Sequence, residues 1–430
     1  MGLVGITFIV LLFMGMPVAF AIGLAGTMFF LFNPNLPLSI VVQRAVAPGQ
    51  SYTMLAIPLF VFAGNLMNNT GITSRLVKLS NVLTGHMYGN IAQVSCVLST
   101  MMGGVSGSAT ADAAMESRVL GPEMIRRGYS KGYAAAVNGF SSLIVATIPP
   151  SMGLIIYGSV GEVSIGRLFA AGFVPGIIMM IFMMLAVRFT AKKRGYMPDR
   201  EKPASLREVG RALADGIWAL LFPLILIAGI RFGLFTPSES GAFACVYAIV
   251  VGMFIYKELT PKIFLETLKE TGKDIGVIML LVCLSGIIGY GIVYDRVPQN
   301  LSAFLMNVSS NSYVMLFVIV FILIISGMFI ETTVIALLMT PILLPVVTRL
   351  GVDPVQFGLI MMTVTTMGIM TPPVGVALYT TSTIIGCKPE ETAIESLPFI
   401  AATLLVVFIM IFFEGLVLFV PNLIFGPMIR

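Results

Sequence analysis

The sequence predicts an all-α polytopic membrane protein of two inverted-topology repeats, each with a re-entrant helical hairpin and a broken helix. Three observations carry this. The 430 residues are 57% hydrophobic and 10% charged, with a mean hydropathy of +1.00, a balance foreign to soluble domains. The apolar runs are continuous, whereas a β-barrel alternates apolar and polar residues. Twice, glycine, hydroxyl and proline residues interrupt apolar sequence in the same order.

The first interruption runs from Met101 to Gly153. It holds Gly104-Val105-Ser106-Gly107-Ser108-Ala109-Thr110-Ala111-Asp112 and then Ile148-Pro149-Pro150-Ser151-Met152-Gly153. The second pairs Gly327 with Gly104 and Pro345 with Pro122, both 223 positions on, and Glu331-Thr332-Thr333 with Ser108-Ala109-Thr110. Pro372-Pro373-Val374-Gly375 matches Pro150-Ser151-Met152-Gly153 after a one-residue slip. Each half reads apolar arm, polar tip, apolar arm, charged turn, broken span. Hydrocarbon offers no partner to backbone freed from a helix, so such breaks persist where protein or a wet cavity supplies one.

In chain order, residues 3–32 form one apolar run through Gly15-Met16-Pro17. At about 1.5 Å per residue it is long for one span and short for two, so a tilt or kink is expected. No basic region precedes it, so it reads as a retained span rather than a signal peptide. Residues 33–50 form a loop, 52–69 a span, and 72–86 a short helix on the membrane surface. Residues 91–120 are the arms of the first hairpin, and 132–158 the first broken span. Residues 164–190 span again and end the first repeat, 1–190. Residues 191–233 are a basic linker and connecting span. The second repeat, 234–430, holds a span at 236–256, an amphipathic stretch at 257–273 and a span at 275–293. The second hairpin follows at 312–346, then the second broken span at 355–382 and a last span at 394–420.

Residues 191–215 carry Lys192, Lys193, Arg194, Arg200, Lys202, Arg207 and Arg211, and the positive-inside rule puts them in the cytoplasm. Counting from there gives nine spans and two hairpins, N-terminus inside and C-terminus outside. Most of the 25 Lys and Arg then fall on the cytoplasmic side. The first hairpin enters from the cytoplasm and the second from outside.

A hairpin tip ends two half-helices near mid-membrane. Their free carbonyls, with Ser and Thr hydroxyls, make a neutral oxygen cage for a monovalent cation such as Na+. Their N-termini favour a carboxylate. The cation candidates are Ser106, Gly107, Ser108, Thr147, Gly153, Gly327, Thr332, Thr333, Gly368, Thr371 and Gly375, in two or more Na+ sites. The solute candidates are Ser106, Ser108, Thr110, Asp112, Glu331 and Thr333. The competing reading is that small residues let helices pack closely and that Ser and Thr bond back to their own helix. Among other acids in apolar sequence, Glu116 is placed to pair with Arg118 or Arg126, and Glu414 lies far from the tips. His86 reads as interfacial, Trp218 as a belt residue, and the four cysteines as packing. There is no phosphate-binding Gly-x-x-x-x-Gly-Lys-Ser/Thr and no His-Glu-x-x-His. No nucleophile–base pair stands out, so an intramembrane enzyme is disfavoured.

The Gly104–Asp112 tip, the Ile148–Ser151 break and Thr371-Pro372-Pro373-Val374-Gly375 resemble the large membrane subunit of tripartite ATP-independent periplasmic (TRAP) transporters, over essentially the whole chain. The resemblance implies an elevator-type secondary transporter of the ion-transporter class in the bacterial inner membrane. It implies Na+-driven import of an organic acid such as a C4-dicarboxylate or sialic acid. It also implies two partners: a small four-helix membrane subunit, here expected as a separate chain, and a periplasmic solute-binding protein. The sister divalent-anion/Na+ symporters carry Ser-Asn-Thr at both tips; here the tips read Ser-Ala-Thr and Glu-Thr-Thr. A proton-coupled or uncoupled carrier with Asp112 or Glu331 as proton carrier is the alternative within this fold. A channel is the alternative outside it; nucleic acid is not an expected partner.

Overall fold

The computed structural model describes residues 1–308 and 311–427, and every regular element among them is helical. Local sequence sets the helix ends. Ser164 caps Ile165–Arg194, which stops at Gly195 with φ +73°. Capping boxes of Ser205 with Glu208 and Thr236 with Glu239 open Leu206–Arg231 and Pro237–Val250. Asp353 accepts from Val355 N and Gln356 N to start Pro354–Gly368.

Six helices are each long and apolar enough to cross a bilayer. Counting two bent pairs, at 39–68 (56°) and 389–412 (52°), raises this to eight among the described residues. The tally differs from nine because helices broken at proline fall short on each side, whereas both arms of the second hairpin reach 18 residues. The first run is not one kinked helix. It divides into Gly2–Phe13 and Val18–Leu31, which pack on each other. Gly15, at φ +81°, and Pro17 separate them. The amphipathic stretch and span expected at 257–273 and 275–293 form one 34-residue helix, Pro261–Tyr294. The last span is split into Pro389–Glu395, Leu397–Phe412 and Glu414–Phe425. The surface helix expected at 72–86 runs Ile72–Thr84 and buries Ile72, Leu76 and Leu79 against 90–102 and 206–231.

Both repeated units are present. The first hairpin has arms Asn90–Met102 and Ala109–Val119. Its broken span is Lys131–Ser141, a 3-10 turn to Ala146, then Met152–Gly161. The second hairpin has arms Ser312–Phe329 and Thr332–Arg349, with broken span Pro354–Gly368 and Val376–Ile385. The two broken spans lie side by side and antiparallel. Lys131 Nζ, at the start of one, donates to Gly386 O at the end of the other (3.2 Å). At the far side Tyr157 Oη donates to Pro354 O (2.7 Å). The repeats therefore run in opposite directions.

The base of the first hairpin carries the basic linker. Gly89 N donates to Tyr196 O (2.9 Å), and Asp199 N and Arg200 N share Gly85 O. Arg127 pairs with Asp199, and Arg194 with Glu395. Hydrogen bonds from Arg127 and then Arg126 hold the Glu123 carboxyl below its ordinary pKa.

Helices pack in two groups. The hairpins, broken spans, Ile165–Arg194 and 397–425 form one; residues 2–68 and 206–294 form most of the other. Pro261–Tyr294 and Ala56–Asn68 touch both, meeting Thr332–Arg349 and Met152–Gly161 respectively.

Candidate functional site

Each tip is fastened to the broken span of its own repeat. At the first, Val105 N and Ser106 N both donate to Met102 O, closing off the helix (2.8 and 2.9 Å). Gly107 then turns at φ +64°, where a Cβ would sit 2.6 Å from Pro150 O, so only glycine fits. Gly107 O accepts from Met152 N (3.2 Å). Ser108 and Ser151 cap the two helices that leave this junction, accepting from Ala111 N and Leu154 N. At the second tip, a Cβ on Gly368 would lie 2.5 Å from Gly327 Cα, so the two backbones touch. Met328 O accepts from Gly375 N (2.9 Å). Glu331 caps Thr332–Arg349, accepting from Thr333 N at 2.9 Å and Thr333 Oγ1 at 3.1 Å.

The tips meet. A small void of about 20 Å³ is bordered by Gly107, Ser108, Thr110, Ser151, Gly153, Glu331, Thr332 and Thr333. The N-termini of three half-helices, starting at Ala109, Met152 and Thr332, converge on it. Their free N–H groups favour an anion there. A second cavity, about 710 Å³, has Ser106, Ser108, Thr110, Glu331 and Thr333 on its wall.

Thr147, Asp112, Gly327, Gly368, Thr371 and Gly375 line neither space. Gly327, Gly368 and Gly375 shape the second tip's backbone. Thr371 Oγ1 bonds back to Met367 O (2.8 Å), as the packing reading expects. Thr147 and Thr332 keep buried hydroxyls with no hydrogen-bond partner. Asp112 stands behind the tip, 1% exposed. Its Oδ1 accepts from Ser106 Oγ at 3.4 Å, and its Oδ2 is buried without a partner.

Glu116 corrects its sequence-based pairing with Arg118 or Arg126. Arg126 pairs with Glu123. The fully buried Glu116 carboxylate accepts from Ser95 (2.5 Å), Ser99 (2.5 Å) and Ser141 (2.9 Å). Four polar side chains that were not named as candidates also contribute. Ser151 lines the small void. Asn65, Asn68 and Asp274 form the wall of the larger cavity on 56–68 and 261–294. A polar spacing at 65 and 68 within an apolar span was the available signal.

A family model described as "Tripartite ATP-independent periplasmic transporter, DctM component" matches residues 5–416. The chain is 36% identical to the sialic acid TRAP transporter large permease protein SiaM of Vibrio cholerae, covering 97% of each. It is 33% identical to the 2,3-diketo-L-gulonate TRAP transporter large permease protein YiaN of Escherichia coli, covering 96% of this chain and 95% of that one. It is 30% identical to the C4-dicarboxylate TRAP transporter large permease protein DctM of Pseudomonas aeruginosa, covering 94% of each. Among solved structures, the Alcanivorax borkumensis YdaH transporter superposes with a TM-score of 0.63 at 12% identity, covering 88% of this chain and 89% of that one, a likeness of fold. These relatives are transporter permeases rather than enzymes, and the chain is a multi-pass membrane protein that belongs to the DctM family, the large permease component of TRAP transporters.

Proposed function

We propose that this chain is the large permease subunit of a Na+-coupled importer of an organic acid. One observation supports this above the rest: both tips border one cavity whose charged lining, among the described residues, is Glu331 and Asp274. A carboxylate entering it meets no Lys, Arg or His. Its charge is balanced by converging half-helix N-termini and by cations that arrive with it. The cation ligands are tip carbonyls and the hydroxyls of Ser106, Ser108, Thr332 and Thr333, with unpartnered Thr147 close behind. Gly107, Gly153, Gly327, Gly368, Thr371 and Gly375 supply the backbone shape.

The helix group holding the tips moves against the other, carrying solute across as an elevator does. The larger cavity reaches Asp274, beside the basic Lys269 and Lys273, so this conformation faces the cytoplasm. The protein sits in a bacterial inner membrane, N-terminus cytoplasmic and C-terminus periplasmic. It works with a separate small membrane subunit and a periplasmic binding protein. The names of the relatives, which include sialic acid, diketogulonate and C4-dicarboxylate permeases, support an organic acid as cargo. One observation favours a proton-coupled variant: buried Asp112 Oδ2 has no partner.

Proteoliposomes holding this chain, its small subunit and its binding protein should accumulate solute under an inward Na+ gradient. Equal uptake with choline in place of Na+ contradicts Na+ coupling, and uptake driven by a pH gradient alone selects the proton variant.

A further inference from the structure

We propose that Asn65, Asn68 and Asp274 read the end of the solute remote from its carboxylate, selecting a monocarboxylate rich in hydrogen-bond donors and rejecting a dicarboxylate. The proposal rests on the transport reading above and deepens it by naming the cargo's chemistry.

The cavity of about 710 Å³ has two polar ends. One is the tip wall, with its hydroxyls and half-helix N-termini. The other is built by Ala56–Asn68 and Pro261–Tyr294, and its charge is of one sign. Asn65 donates its two amide hydrogens to Thr271 Oγ1 and Asp274 Oδ2, both at 3.0 Å. What Asn65 has left for a solute is its carbonyl oxygen. Asn68 Oδ1 is shielded, so what Asn68 offers the cavity is its amide hydrogens. Asp274 is a carboxylate, an acceptor only. The wall therefore presents a negative charge, the Asn65 carbonyl oxygen and the Asn68 amide hydrogens, a set that a hydroxyl satisfies as both donor and acceptor, with Val61, Val277, Ile278 and Leu281 as apolar lining.

Such a wall welcomes hydroxyl or amide N–H groups, and it leaves acceptors unpaired when the solute has none to give. Sites built to hydrogen-bond a substrate group discriminate strongly against the analogue lacking it. A second carboxylate would face Asp274 with no basic side chain on the cavity wall to offset the repulsion. A solute with its carboxylate at the tips and hydroxyls at the far end satisfies both walls.

The test uses the full-length chain with its small membrane subunit, purified. Thermal stabilisation is titrated with D-gluconate (one carboxylate, five hydroxyls), succinate (two carboxylates) and butanoate (one carboxylate, no hydroxyl), each in NaCl and in choline chloride. A bound ligand raises the melting temperature with the logarithm of its concentration over Kd, so the concentration that gives a set shift ranks affinities. Gluconate should give the same shift at a concentration about tenfold or more below either other solute. Asp274→Asn should narrow the gap between gluconate and succinate while leaving butanoate unchanged. A merely structural tie between the two helices would move all three solutes alike. Succinate binding as tightly as gluconate, a ratio untouched by Asp274→Asn, or no shift with any solute overturns the proposal. A ranking that holds equally in both salts leaves this proposal standing and removes Na+ coupling instead.

Discussion

Glu116 shows what a carboxylate needs at membrane depth. Three hydroxyls, Ser95, Ser99 and Ser141, stand where a cation was expected. Ser99 bonds through its hydroxyl to Glu116 alone among the described residues, whereas Ser141 also reaches Val137 O (2.8 Å) and Ser95 reaches Asn138 Oδ1 (3.0 Å). Glu116→Ala should therefore destabilise the protein by about 1–3 kcal/mol, the cost of a buried group left unpaired. Glu116→Gln, which keeps an acceptor, should cost less; the two melting temperatures in detergent check this order. The acid was legible in the sequence but its partners were not. They come from two other helices, and nothing in their spacing points to Glu116. The tip hydroxyls were legible because a Ser or Thr amid glycine in an apolar run has few structural excuses. Asp274 was lost because it falls at the seam between an amphipathic stretch and a span, where averaging over a window hides one charge.

At the scale of helices, proline and glycine carried most of what could be read. The breaks at Pro149-Pro150 and Pro372-Pro373 fall where expected, and so do both tips. Gly15 and Pro17 make a full break rather than a bend because one residue holds a left-handed turn while the next helix starts after proline. The continuity of Pro261–Tyr294 was hidden, since a helix that leaves the bilayer keeps its hydrogen bonds while its composition changes. The antiparallel pairing of the broken spans gives a direct prediction. Lys131→Cys should cross-link to native Cys387, the neighbour of Gly386, with a short bis-maleimide, while Val160→Cys, at the other end of the first broken span, should not. Mass spectrometry of the digested protein reads both; a cross-link from 160 in place of 131 would show parallel spans.

For the molecule as a whole, opposite repeats bring two tips that lie more than two hundred residues apart in sequence to one void and one cavity. Charge bias and the repeated order of features made this legible, because inverted halves must bring equivalent breaks to the same depth. The division into two packing groups was not legible. It cuts across the sequence repeats, uniting 90–194 with 312–425 and most of 2–68 with 206–294. Only tertiary contacts reveal that. The central claim is that a single Na+-dependent site draws on both repeats. Its most direct measurement is the melting temperature of the purified protein in NaCl against choline chloride, for the wild type, Ser108→Trp and Thr333→Trp. In the wild type the melting temperature should rise with Na+ concentration, and either substitution should abolish that rise. Equal melting temperatures in the two salts, or a Na+ effect that survives both substitutions, would contradict it.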